Sequence, residues 1–143
     1  MVLSYDEFKF WVGETIGYCQ TIENDVKWIY AAMRKGDMFE NFDKIAKMTL
    51  GAVIDELNKL DNLDNDNFLT FEDYKTLRSI TKERNYLAHN IFTEFIYEDD
   101  FEESEQYQKA CSRLMNFHNR IERLYKSVEN AKLNAIEIYR KNN

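Results

Sequence analysis

No proline occurs anywhere in the 143 residues, and glycine occurs only four times. Proline breaks helices and glycine builds tight turns, so their scarcity argues against a turn-rich β architecture and for long uninterrupted helices. Hydrophobic residues make up 44 % of the chain, enough for a folded core rather than a disordered tail. The length suits a single domain over 1–143 that buries its core without disulfides or metals.

Apolar spacings of three and four mark four helical segments. The first runs from about Ser4 to Arg34, with Ser4 as cap and Asp6 and Glu7 at the positive end of the dipole. Its stripe is Phe8, Val12, Thr15, Cys19, Ile22, Val26, Ile29 and Met33, and Lys35-Gly36-Asp37 is its stop. The second runs from Phe39 or Phe42 to Leu60 as one helix, on a stripe of Phe42, Ile45, Thr49, Val53 and Leu57 or Leu60. Gly51 falls inside it and costs about 1 kcal/mol against alanine, which a close helix contact would compensate. A polar loop from Asp61 to Leu69 follows. Thr70 and Asp73 then open a third helix with a near capping box, ending at Asn90 or Thr93. After the acidic loop YEDDFEESE, the last helix spans Glu102 to Tyr139. At ~1.5 Å per residue it would be ~55 Å long, so it should either break or project its end onto a partner. Short connections predict antiparallel neighbours, hence an all-α up-down bundle of four to five helices with a long C-terminal helix.

The net charge of −7 is the reverse of a basic nucleic-acid-binding domain, so DNA is not an expected ligand and RNA would need a local basic patch. Cys19 and Cys111 lie far apart on apolar stripes and read as buried free thiols of a reducing compartment. The N-terminal MVLSYDEFKF has early charges and no long apolar run, so neither a signal peptide nor a membrane span is expected, and a cytoplasmic location follows.

The third helix holds the chemistry. Leu77, Ile80, Arg84, Leu87 and Ile91 share one stripe, which places Arg84 at a core-type position. A buried guanidinium without a partner would cost several kcal/mol. Arg84 therefore needs a carboxylate such as Glu23, a partner chain or an anion, or it snorkels to a cleft. A second stripe, Arg78, Lys82, Asn85 and His89, is basic and polar. It suits either a solvated face or a phosphate backbone. His89 is one of two histidines, the side chain suited to moving protons near neutral pH. Arg84 and His89, five apart, point about 140° apart, whereas Asn85 and His89 share a face. For Arg84 and His89 to act together, the arginine must reach round, the helix must end near His89, or a second subunit must complete the site.

The run Arg84-Asn85-Tyr86-Leu87-Ala88-His89 resembles the Arg-polar-x3-5-His signature of the HEPN superfamily (higher eukaryotes and prokaryotes nucleotide-binding domains). That signature sits late in a helical bundle and is followed by a long C-terminal helix. Weaker likeness extends through Ile22-Glu23-Asn24-Asp25-Val26-Lys27 and Thr49-Leu50-Gly51. The resemblance implies a metal-independent, cofactor-free endoribonuclease, commonly a toxin or antiphage effector, working as a dimer and held in check by a neutralising antitoxin protein. Carried over, Arg84 and His89 are the catalytic pair and Asn85 the polar helper. Arg78 and Lys82 would hold flanking phosphates and Tyr86 would stack on a base. Some toxin members carry a tyrosine two residues after the histidine, where a partner adds nucleotides; here that residue is Ile91. The superfamily also includes members that bind without cutting, and the acidic charge and long last helix keep a non-catalytic interaction module as the alternative.

Three other signals are weaker. Asp61 to Glu72 has the length of a calcium loop, but Leu63 and Asp66 stand where a ligand and a glycine are needed. The acidic run Glu98, Asp99, Asp100, Glu102 and Glu103 suits a solvated loop leading into a helix N-terminus. His118 has no cysteine–histidine cluster around it, so a metal site there is not expected.

Overall fold

In the computed structural model, residues 2–63 and 67–143 are described, and these are helical with no strand among them. The described residues form five α-helices: α1 (Tyr5–Met33), α2 (Met38–Ile45), α3 (Leu50–Asp61), α4 (Phe71–His89) and α5 (Glu105–Asn142). Short 3-10 turns stand at Phe92–Glu94 and Phe101–Glu103. No helix among these residues is long and apolar enough to cross a membrane. The chain divides into two compact units. The first joins Met1–Cys19 to Ser79–Arg123, and the second joins Gln20–Arg78 to Leu124–Asn143.

In the first unit, α1 opens with a reciprocal capping box. The Glu7 amide donates to Ser4 Oγ at 3.1 Å, and the Ser4 amide donates to Glu7 Oε1 at 3.0 Å. Phe8, Val12, Thr15 and Cys19 are buried as their spacing predicts, as are Tyr107, Cys111, Leu114, Phe117 and Ile121 of α5 and Ile80, Leu87 and Ile91. Cys19 and Cys111 are buried, and neither is in a disulfide. The acidic segment after α4 is ordered by its aromatics. Phe95 packs on Phe8 and Tyr107 with ring centroids 5.2 and 4.9 Å apart, and Phe101 closes on Tyr5 at 5.0 Å. The Tyr107 hydroxyl donates to the Leu3 carbonyl at 2.6 Å. Phe8 meets Tyr107 and Thr15 meets His118, so sequence number rises together along α1 and α5, and the two run parallel here.

The second unit departs from expectation at one place. The single helix expected from Phe39 to Leu60 is two, α2 and α3, separated by residues 46–49. Thr49 does not serve the stripe; it caps α3, its Oγ1 accepting from the Ala52 amide at 3.3 Å. The Lys27 ammonium donates to the Ala46 carbonyl at 2.9 Å and satisfies a group freed where α2 ends. Gly51 is in the first turn of α3, where an added Cβ would meet nothing within 4 Å, so the expected close helix contact is absent.

In this unit the stop at Lys35-Gly36-Asp37 and the Thr70–Asp73 capping box stand as expected, whereas the last helix neither breaks nor projects its end. Gly36 takes φ +103°, a conformation that suits glycine, and so ends the passage out of α1. Asp37 caps α2 by accepting from the Phe39 and Glu40 amides at 2.9 and 3.0 Å. Thr70 and Asp73 form the capping box of α4, at 3.0 and 3.1 Å. Asp55 with Arg78 and Asp61 with Tyr74 make α3 and α4 antiparallel. The last helix is unbroken, 38 residues or ~57 Å. Its end does not stand alone: Ala131 and Ala135 are buried, and Tyr139 accepts from the Met38 amide at 3.2 Å.

Asn41 is buried, and its amide nitrogen reaches the carbonyls of Ala31, Arg34 and Lys35 at 3.1, 3.1 and 3.3 Å. These lie at and just beyond the C-terminus of α1. Asn41→Ala is expected to cost ~1–2 kcal/mol in urea unfolding; a value near zero would mean water replaces the side chain without loss.

Candidate functional site

Arg84, Asn85 and His89 all lie on the part of α4 that belongs to the first unit. Arg84 is half-buried on the stripe between the buried Ile80 and Leu87, and it is engaged with another group rather than left as a bare charge. Asn85 and His89 are exposed one turn apart on a common face. Among the described residues, no hydrogen bond or ion pair involves the His89 ring. Lys82 is exposed on the same side.

The helix stops at His89. One of the three conditions for Arg84 and His89 to act together is therefore met within a single chain. The Tyr86 carbonyl makes the stop, accepting from both the Asn90 amide at 2.9 Å and the Ile91 amide at 3.0 Å.

The remaining residues expected at the site are elsewhere or otherwise occupied. Arg78 belongs to the second unit, where its guanidinium pairs with Asp55 at 2.8 Å and borders a groove of ≈ 330 Å³ with Asn58, Tyr74 and Lys75. Glu23 is also in the second unit, half-buried and engaged. Tyr86 is buried, and one ring face carries the Arg113 guanidinium 3.4 Å from its centroid. Such a stack contributes about 0.5–2 kcal/mol. Arg113 also pairs with Glu83 at 3.5 Å, and the Tyr86 hydroxyl donates to Glu94 Oε2 at 2.8 Å. Sequence reading missed Arg113 and Glu94. Arg113 is 27 positions from Tyr86 and on another helix, so no local spacing points to it.

Burial pushes the Tyr86 phenol well above the ordinary tyrosine range, and donation to Glu94 raises it further. Tyr74 and Tyr107 are raised in the same way, by burial first and then by donation to Asp61 and contact with Cys111. A raised native pKa means the folded state holds its proton after the unfolded state has lost it. The stabilisation is full below the unfolded tyrosine value near 10 and disappears as pH rises towards the native values. Melting temperature should therefore hold to about pH 9.5 and fall steeply above pH 10, with these three phenols ionising only on unfolding. Ionisation of Tyr74, Tyr86 or Tyr107 ahead of unfolding would contradict this.

The second histidine is also more built in than its sequence context suggests. His118 is buried in the first unit, its ring 4.6 Å from Trp11. The Thr15 hydroxyl donates to the Trp11 carbonyl at 2.7 Å, which leaves its oxygen to accept from His118 Nδ1 at 3.2 Å. Nε2 faces Glu122 Oε2 at 3.5 Å. The i,i+4 pairs Trp11/Thr15 and His118/Glu122 were the available sequence signal. The arrangement joins α1 to α5 and gives a reacting molecule no access. Compared with family models, curated proteins and solved structures, the chain matches none.

Proposed function

We propose that the chain is a metal-independent endoribonuclease of HEPN type, a toxin or defence effector acting on RNA as a homodimer. The observation that carries this reading is the end of α4. There His89 presents an exposed ring that makes no hydrogen bond or ion pair among the described residues, one turn after Asn85 and at the tip of the helix that carries Arg84. His89 activates the ribose 2′-hydroxyl or protonates the leaving 5′-oxygen. Arg84 stabilises charge building on the phosphoryl oxygens, for which its fork geometry is suited, and Asn85 orients the phosphate. Lys82 holds a neighbouring phosphate; Arg78, paired with Asp55, contributes less. Position 91 is a fully buried isoleucine, so nucleotide addition there has no hydroxyl to use, and a neutralising partner would work by covering the site.

The test is purified protein with single-stranded RNA in EDTA, with the product ends identified. Expected are 2′,3′-cyclic phosphate and 5′-hydroxyl ends; no cleavage, or cleavage only with a divalent metal, overturns the reading. A second reading, a non-catalytic interaction module, is favoured by Leu133 and Ile138, 57 % and 49 % exposed on α5. Growth arrest on expression that His89→Ala abolishes selects the enzyme. Harmless expression with capture of one protein partner selects the module.

A further inference from the structure

Three contacts at the tip of α4 pass through Tyr86. Its carbonyl takes both the Asn90 and Ile91 amides, so it sets where the helix stops and how the chain leaves His89. Its hydroxyl reaches Glu94, five residues beyond His89, in the 3-10 turn that follows. Its ring is pressed by Arg113 from α5, and Arg113 is anchored in turn on Glu83, one turn earlier on α4. The His89 ring is exposed and makes no hydrogen bond or ion pair among the described residues. A ring that must present one nitrogen to a substrate needs its Cα fixed, and here the fixing comes from outside the reacting groups.

We infer that Tyr86 is a positioning residue, and that its lock on Glu94 and Arg113 sets the end of α4 from which His89 works. This rests on the ribonuclease reading for its catalytic consequence, but not for its structural one. It also assigns Tyr86 a role other than base stacking, since the face a base would use is occupied by Arg113.

Two readouts on the intact protein separate the possibilities. Amide hydrogen exchange at Asn90 and Ile91 reports the lock without any substrate. RNA cleavage in EDTA, split into kcat and KM, reports its consequence. Tyr86→Phe keeps the ring and loses only the hydroxyl. It should speed exchange at both amides ~10-fold and lower kcat ~10-fold, with KM unchanged within about twofold. Glu94→Ala should do the same. Glu94→Gln, which keeps an acceptor oxygen, should return both readouts to near wild type. Unchanged exchange in Tyr86→Phe overturns the inference whether or not the protein cleaves RNA. A rise in KM with kcat intact also overturns it, because Tyr86 would then be an RNA contact. A wild type that cleaves nothing, with exchange responding as stated, removes the ribonuclease and leaves the lock standing.

Discussion

His89→Ala should lower RNA cleavage by about 10²–10⁴-fold, the range expected when a general acid or base is removed. The same change should leave stability within about 0.5 kcal/mol, because the ring is exposed and makes no hydrogen bond or ion pair among the described residues. That pairing of a large kinetic effect with a silent structural one makes the variant decisive. Arg84→Ala should also remove cleavage, but it is a less clean probe. Arg84 is half-buried and engaged, so its loss will cost stability as well as charge. Arg84→Lys restores the charge without the planar fork. On the proposed chemistry it recovers little of kcat, since a point charge does not match the phosphoryl oxygens bidentately. Full recovery by lysine would mean that Arg84 supplies only a diffuse field. Equal cleavage by wild type, His89→Ala and Arg84→Ala would remove the site altogether.

The contrast between Arg84 and Tyr86 shows what could be read without coordinates. Arg84 announced itself because a charge on an apolar stripe breaks a periodic pattern, and its half-buried place matches that reading. The long stripes of α1 and α5 were legible for the same reason, as were the caps at Ser4 and Thr70, whose partners lie three residues away. The break between α2 and α3 was not. Ala46, Lys47 and Met48 are good helix formers, and Thr49 falls on the stripe. What ends α2 is tertiary: Lys27 from α1 taking the Ala46 carbonyl, with Trp28 stacked on Phe42 at 3.9 Å. Tyr86 looked available because a sequence does not show what covers a ring. Its neighbours Glu83, Glu94 and Arg113 are ordinary charged residues until the fold brings them together.

Asp61 was misread most completely, as the first residue of a solvated loop, and it carries the largest stability effect expected. It is the last residue of α3 and is 1 % exposed. Its Oδ1 accepts from the Phe68 amide at 2.7 Å, and its Oδ2 accepts from the Leu69 amide at 3.2 Å and the Tyr74 hydroxyl at 2.7 Å. The carboxylate thus closes the chain just before α4 begins, in place of a water shell. It is also unsuited to serve as the first ligand of a calcium loop while these bonds hold; Asp66 of that loop lies outside the described residues. Asp61→Ala strands two backbone amides and a phenol and should cost about 3–5 kcal/mol in urea unfolding. Asp61→Asn keeps one acceptor oxygen, and the Tyr74 hydroxyl can turn to accept from the new amide, so about 1–2 kcal/mol is expected. The double-mutant cycle gives the sharper result. Tyr74→Phe should cost ~1–2 kcal/mol in the wild type and almost nothing once Asp61 is alanine, because the partner is already gone. If Tyr74→Phe costs the same in both backgrounds, the hydroxyl draws its stability from another group, and Asp61 is not the hub of this turn.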